Sequence, residues 1–355
     1  MKNKTRAFGL DLVRTIAIFF VMSLHYFIYC GFYGHVMISF TDFIIISIRW
    51  LFWACVPLFL LLTGYLNGEK VVSKKYYKGI IKILCSYVFF CIITLLFKHF
   101  YMEKDFSILG AILKIFDFTA IEYSWYINMY IGLFLLIPFL NILYKNIKTK
   151  KEKQILLLIL LFIVALPSLV NCIKVRGHLL AIFPDWWVDL YPILYYFIGQ
   201  YIKEYQVTIK KSLNLILLIV TILLEGIITF FYYKNGAFDY SLFETNSCLF
   251  AILISTLIFL LLYQKDTDNK FIRKSISFFS NLSFDIYLVS FICDNFFYKQ
   301  FLSVLTTPER MLGFYFLLVP ANFLIATTFA FMKNLVFKLF SKIKFKNSIY
   351  KKRNR

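Results

Sequence analysis

Ten apolar runs, each near the length that crosses a hydrocarbon core, follow one another along this 355-residue chain. They fall near residues 8–30, 43–66, 80–100, 123–144, 155–172, 186–203, 212–233, 244–263, 276–297 and 312–338. With 61% of its residues apolar and only 16% charged, a water-soluble fold would have nowhere to put its surface. In lipid each backbone polar group must be satisfied inside its own segment, so runs of this length specify helices. The expectation is an all-α polytopic integral membrane protein with about ten transmembrane helices.

Charge placement orients it. The net charge of +20 would suit nucleic acid if it were spread over one face, but the cations cluster between the apolar runs. If the N-terminus is cytosolic, the inner clusters are Lys2–Arg6, Lys70–Lys82, Lys145–Lys153, Lys203–Lys211, Lys265–Lys274 and the stretch from Lys333 to Arg355. Together they hold 29 of the 39 Lys and Arg; outer segments hold 9, and Arg14 lies inside a span. Both termini are therefore expected in the cytosol, with the bilayer and no nucleic acid as partner. The first run carries Asp11 and Arg14 and no small-x-small site follows it, so it reads as a retained helix rather than a cleaved signal.

Residues 1–338 read as one transmembrane domain, and 339–355 as a basic cytosolic tail suited to anionic lipid headgroups. No internal repeat, linker or soluble domain interrupts them. Ile108–Phe118 has the pattern of a short amphipathic helix lying on the outer surface. The seven cysteines (Cys30, Cys55, Cys85, Cys91, Cys172, Cys248 and Cys293) lie in or at the ends of spans without a C-x-x-C pair, as packing residues do. No metal-ligand spacing occurs, and no permanently bound cofactor is expected. Pro57, Pro138, Pro167, Pro192 and Pro320 fall within spans and should bend them or open a cavity.

Ionisable side chains at membrane depth are costly, at least ~3 kcal/mol each, and mark function. Five stand out: Asp11, Arg14, His25, Glu225 and Asp285. Arg14 and His25 are eleven residues apart, three turns plus roughly 20°, so they share one helix face with about 16 Å of rise between them. A fixed cation near the cytosolic side and a proton-transferring imidazole further out would suit a long ligand, charged at one end and reactive at the other. Acyl-coenzyme A is such a molecule. Asp11, three residues before Arg14, belongs with this donor-binding set as the carboxylate that pairs with the guanidinium.

The first span, GLDLVRTIAIFFVMSLHY, resembles the opening of the acyltransferase-3 family, whose first helix carries an Arg, ten residues and a His. Val56-Pro57-Leu58-Phe59 leading to Gly64-Tyr65, Trp125-Tyr126 reaching Pro138, and SFDIYL at Ser283–Leu288 are similar to later family segments in the same order. The resemblance implies a membrane-bound O-acyltransferase that moves an acyl group, most often acetyl, from cytosolic acyl-CoA. The implied acceptor is a hydroxyl of a cell-envelope polysaccharide or lipid-linked sugar, the location a bacterial plasma membrane. His25 would be catalytic and Arg14 would hold the donor. Two departures stand out. Family members often have a His after the I-Y-L stretch, where this chain has Val289-Ser290. An R-x-x-R-like pair also often follows the second span, where this chain offers Lys78 and Lys82 as donor-binding cations.

A sugar hydroxyl needs a base within hydrogen-bond reach, and His25 is placed to be that base or a covalent acyl carrier. A carboxylate should orient the imidazole. Glu225 lies at the matching depth by residue count, with Asp285 as the alternative nearer mid-membrane. All five tryptophans map to outer span ends, which suits stacking on sugar rings. Trp125, Tyr126, Trp186 and Asp189 are accordingly the expected acceptor-binding residues. A transporter or flippase for a lipid-linked saccharide would use similar kinked helices without needing the Arg14–His25 alignment. A non-catalytic scaffold would tolerate replacement of His25.

Overall fold

The computed structural model describes residues 7–171, 174–175, 178–179, 182–239 and 245–353, with side chains left aside at 174–175, 178–179 and beyond 338. The helices, in chain order, are α1 (Phe8–Tyr29), α2 (Phe40–Trp53), α3 (Cys55–Asn67), the one-turn α4 (Lys74–Tyr77), α5 (Ile80–Phe100), α6 (Ile108–Phe116), α7 (Trp125–Asn146) and α8 (Lys150–Val170). A two-residue ribbon follows, β1 (Lys174–Val175) antiparallel to β2 (His178–Leu179). Then come α9 (Tyr191–Tyr205), α10 (Lys211–Tyr233), α11 (Leu249–Leu262), α12 (Lys270–Phe297) and α13 (Pro308–Arg353). The surface helix expected at Ile108–Phe118 is α6. Side chains of the basic tail, and Cys172, lie outside the described residues.

Among the described residues, eight helical segments are long and apolar enough to cross a membrane, with α2 and α3 counted as one segment. This is an all-α, multi-pass membrane protein. The two expected spans that fall short of that length are α9, of 15 residues, and α11, of 14. About half the residues of each are buried against neighbouring helices.

The prolines explain local shapes. The second apolar run breaks at Ala54 and restarts as α3, which puts Pro57 in the first turn, where a missing N–H costs nothing. Pro192 likewise enters at the start of α9. Pro138, Pro167 and Pro320 stay inside α7, α8 and α13.

Small residues set the closest helix crossings, as expected where lipid removes the hydrophobic drive between helices. Gly64 of α3 faces the Tyr196 carbonyl of α9, and Gly199 of α9 faces the Leu61 carbonyl of α3; a Cβ at either would collide with backbone. Neither side can yield, so Gly64→Ala should cost roughly 1–3 kcal/mol by overpacking. The check is thermal unfolding in detergent, where the variant should melt lower than wild type. At the foot of the same pair, Asn141 of α7 donates to the Asn67 and Lys70 carbonyls at 2.9 and 2.7 Å and accepts from the Tyr196 hydroxyl at 2.7 Å. The last carbonyl of α3, that of Asn67, is thereby satisfied inside the protein.

Burial ranks the helices. The α1 and α12 spans are 61% buried inside the protein, whereas α8 and α10 are 22% buried and present their apolar residues outward. The α2–α3 segment, at 67%, joins α1 and α12 in the buried centre of the bundle.

Candidate active site

α1 and α12 pack along their lengths, and the face of α1 turned to α12 carries both Arg14 and His25. Arg14 Nη1 donates to Ser280 Oγ of α12 at 3.1 Å, and His25 Nδ1 lies 2.8 Å from Asp294 Oδ2 of the same helix. The shared face expected from their spacing is thus the α12-facing one.

Asp294 is wholly buried. Its Oδ2 accepts from His25 Nδ1 and from the Tyr123 hydroxyl at 3.1 Å, and its Oδ1 accepts from Asn322 Nδ2 of α13 at 2.6 Å. Three donors on one carboxylate hold its negative charge where no water can. A carboxylate only accepts, so His25 gives its Nδ1 proton to it and keeps the Nε2 lone pair for chemistry. Tyr123, from the 3-10 turn Glu122–Ser124, also stacks on the imidazole with ring centroids 3.8 Å apart and planes at 27°. A hydrogen bond in the ring plane and a ring against its face leave the imidazole one orientation.

The donors form a directed chain. Tyr123 has a single hydroxyl proton, given to Asp294; its oxygen lies 3.0 Å from the Tyr29 hydroxyl, which accepts from Asn295 Nδ2 at 2.8 Å. Each proton points toward Asp294, which suits a fixed negative charge at the end of the chain.

On the side of the chain's N-terminus, a cavity of about 370 Å³ opens below this network. Arg14, Lys82, Tyr126, Tyr130 and Lys333 line it, and Val21, one turn of α1 before His25, reaches it from above. Arg14 is positioned by Asp11: the carboxylate Oδ1 is 3.7 Å from Nη1 and accepts from Ser280 Oγ at 2.8 Å. The guanidinium is braced on one side and a quarter exposed on the cavity side. A second pair stands in the same wall, Lys333 Nζ donating to Asp285 Oδ1 at 2.8 Å and to Ser86 Oγ at 2.6 Å. Asn334 Nδ2 donates to the other Asp285 oxygen at 2.9 Å.

The expected carboxylate partner of His25 needs correcting. Glu225 sits on α10 against α2, where Thr229 donates to it at 3.5 Å and Trp50 Nε1 donates to Thr229 at 3.0 Å. Asp285 is committed to Lys333. Depth counted along a span ranked these two first, but azimuth decides: α10 faces α2, and Asp285 turns to α5 and α13. Asp294 escaped notice because it falls near the outer end of its run, where a carboxylate reads as interfacial. The signal available was its spacing of fourteen from Ser280, close to four turns, which puts the two on one face of α12.

The other candidates are scattered. Lys82 reaches the inner cavity, whereas Lys78 is exposed at the end of α4 and does not line it. Tyr126 lines the inner cavity, against Tyr287 at 5.7 Å, rather than an outer surface. Trp125 is exposed, as are Trp186 and Asp189 in the 3-10 turn Asp185–Leu190 packed on α8; the structure does not bring this trio to His25. Trp50 is core. Arg49 and Lys98, counted as outer-loop cations, are also buried: Arg49 lies over the Tyr33 and Phe238 rings at 4.7 and 4.8 Å, and Lys98 is 3.7 Å from Glu122.

The sequence profile of the acyltransferase-3 family (Acyltransferase domain) matches residues 8–331. The chain belongs to that family. It is a membrane acyltransferase, and the match runs from the first residue of α1 into α13, taking in Arg14, His25, Asp294 and Asn322. No curated protein and no solved structure matches it.

Proposed function

We propose that this acyltransferase carries an acyl group, acetyl by preference, from cytosolic acyl-CoA to a hydroxyl of a cell-envelope polysaccharide or lipid-linked sugar in a bacterial plasma membrane. The observation that carries the reading is His25 held by the buried Asp294, one helical turn above a cavity whose opposite end bears Arg14. The donor enters from the charged inner side with its phosphates toward Arg14 and Lys82 and its thioester toward Val21. A planar guanidinium already braced by Asp11 and Ser280 loses little freedom on binding an anion.

With the thioester and a sugar hydroxyl both at His25, Nε2 takes the hydroxyl proton as the oxygen attacks the thioester carbonyl carbon. The tetrahedral adduct then collapses, the carbon–sulfur bond breaks, and the imidazolium returns its proton to the leaving sulfur. The products are the sugar ester and free coenzyme A, with no net proton change at the enzyme. Asp294 stabilises the imidazolium between these two transfers. The thioester is already activated, so one displacement with both substrates present is sufficient.

Radiolabelled acetyl-CoA with purified protein and a native envelope-glycan extract tests the reading. Wild type should label glycan, and His25→Ala should lose transfer by at least about 100-fold, the contribution of a positioned base. Acetyl-CoA binding should survive in that variant. Equal labelling by both would remove His25 from the chemistry.

A further inference from the structure

On the far side of His25 from the inner cavity lies a second, smaller recess of about 310 Å³, bounded by Tyr101, Met102, Glu103, Asn295 and Lys299. It is formed where the end of α5 meets the end of α12, on the outer side assigned by the charge asymmetry. Its connection to the catalytic histidine is a row of hydrogen bonds. Asn295 gives one amide hydrogen to the Tyr29 hydroxyl at 2.8 Å and the other to the Phe291 carbonyl at 2.8 Å. Both hydrogens are thus used inward, and the amide oxygen is what this side chain can present to a ligand. From Tyr29 the row runs through Tyr123 to Asp294 and His25.

The walls have the chemistry that holds sugars. Tyr101 is braced by Phe97, stacked at 4.8 Å and 21°, and packs on Phe296 at 5.6 Å, so it supplies a fixed aromatic wall and a phenolic hydroxyl. Lys299 Nζ lies 5.6 Å over that ring, and Glu103 completes the rim from the turn after α5, held at a φ of 53°. An aromatic wall with an ammonium, a carboxylate and an amide oxygen around it matches the C–H faces and ring hydroxyls of a saccharide.

We propose that this recess is the acceptor subsite, in which one saccharide unit packs against Tyr101 with its hydroxyls bonded by Glu103, Lys299 and Asn295. The inference rests on the acyltransferase reading above and adds where the acceptor enters. Donor and acceptor then approach His25 from opposite sides of the membrane, with the Asn295–Tyr29–Tyr123 row running from the recess to Asp294 and the histidine. None of these five residues was singled out by their type or spacing in the sequence.

The test is acetyl transfer from labelled acetyl-CoA to the methyl glycosides of glucose, galactose and N-acetylglucosamine, using the full chain in nanodiscs. Tyr101→Ala should raise the KM for an accepted glycoside about tenfold while the KM for acetyl-CoA stays within about twofold. Tyr101→Phe should keep most of the affinity, and Lys299→Gln, an exposed change that folding tolerates, should raise the glycoside KM alone. Unchanged glycoside KM values in Tyr101→Ala and Lys299→Gln would overturn the subsite. So would wild type that turns over acetyl-CoA but acetylates none of the glycosides. Wild type that neither binds nor turns over acetyl-CoA would instead overturn the acyltransferase reading on which the subsite rests.

Discussion

Asp294→Asn is expected to lower kcat for acyl transfer by about 10³- to 10⁴-fold with acetyl-CoA affinity unchanged. The reason is hydrogen-bond direction rather than size. Asp294 accepts from three donors, His25, Tyr123 and Asn322. An amide of the same shape has one oxygen and one NH₂, so it can accept from only one side. If its NH₂ faces His25, the imidazole must accept at Nδ1, its proton moves to Nε2, and the nitrogen that should act as base becomes a donor. If instead it faces Asn322, two NH₂ groups oppose each other in a buried site, and the carboxylate charge that stabilised the imidazolium is still gone. Asp294 touches no substrate; it is a positioning residue. The measurement that separates positioning from general damage is the kcat–KM split, with Asp294→Glu as the conservative control. A fall in kcat at constant donor KM, partly recovered by Glu, fits the geometry. A parallel loss of donor binding and of the folded protein would mean that Asp294 only holds α1, α12 and α13 together.

Breaking the other buried pair should cost stability rather than chemistry. Lys333 and Asp285 are 2.8 Å apart, and their side chains are only 6% and 9% exposed. Lys333→Met leaves the Asp285 carboxylate with Asn334 but no cation, at a cost of roughly 3–5 kcal/mol. Asp285→Asn leaves the ammonium over the Phe90 and Phe337 rings at 5.8 and 4.9 Å, which repay only part of the loss. The double variant Lys333→Met/Asp285→Asn removes both charges and should be more stable than either single variant, because the desolvation cost goes with them. Unfolding of the three variants in detergent, followed by tryptophan fluorescence, supplies the cycle. Additive losses, with the double variant the least stable of the three, would contradict a mutual neutralisation and leave Lys333 and Asp285 with separate partners.

Much of the architecture was legible because the bilayer makes length and hydropathy decisive. The spans of α1, α5, α7, α8, α10, α12 and α13 lie within a few residues of their apolar runs, since each must satisfy its own backbone. The break at Ala54 was less legible: a helix that restarts around Pro57 has the same composition as one that kinks there. α9 is shorter than its run because the 3-10 turn Asp185–Leu190 takes up the run's first residues.

In the site, Arg14 and His25 were legible from periodicity, a property of one helix. Their partners were not. Asp294, Asn322 and Tyr123 come from three other elements, and which carboxylate faces the imidazole depends on how α10 and α12 are rotated about their axes. Hydropathy carries no information on that rotation, so Glu225, at a fitting depth on the wrong helix, ranked above Asp294. The outer tryptophans diverge for a related reason. Trp50 turns inward to Thr229, while Trp125 and Trp186 stay exposed.

In the proposed mechanism His25 joins a donor from one side of the membrane to an acceptor on the other. Proteoliposomes test it directly, with labelled acetyl-CoA supplied only to the face bearing the Lys-rich loops and envelope glycan only to the opposite face. Labelled glycan is expected with wild type and background labelling with His25→Ala. Labelling that survives in His25→Ala, or that appears only when donor and glycan share the same side, would contradict it.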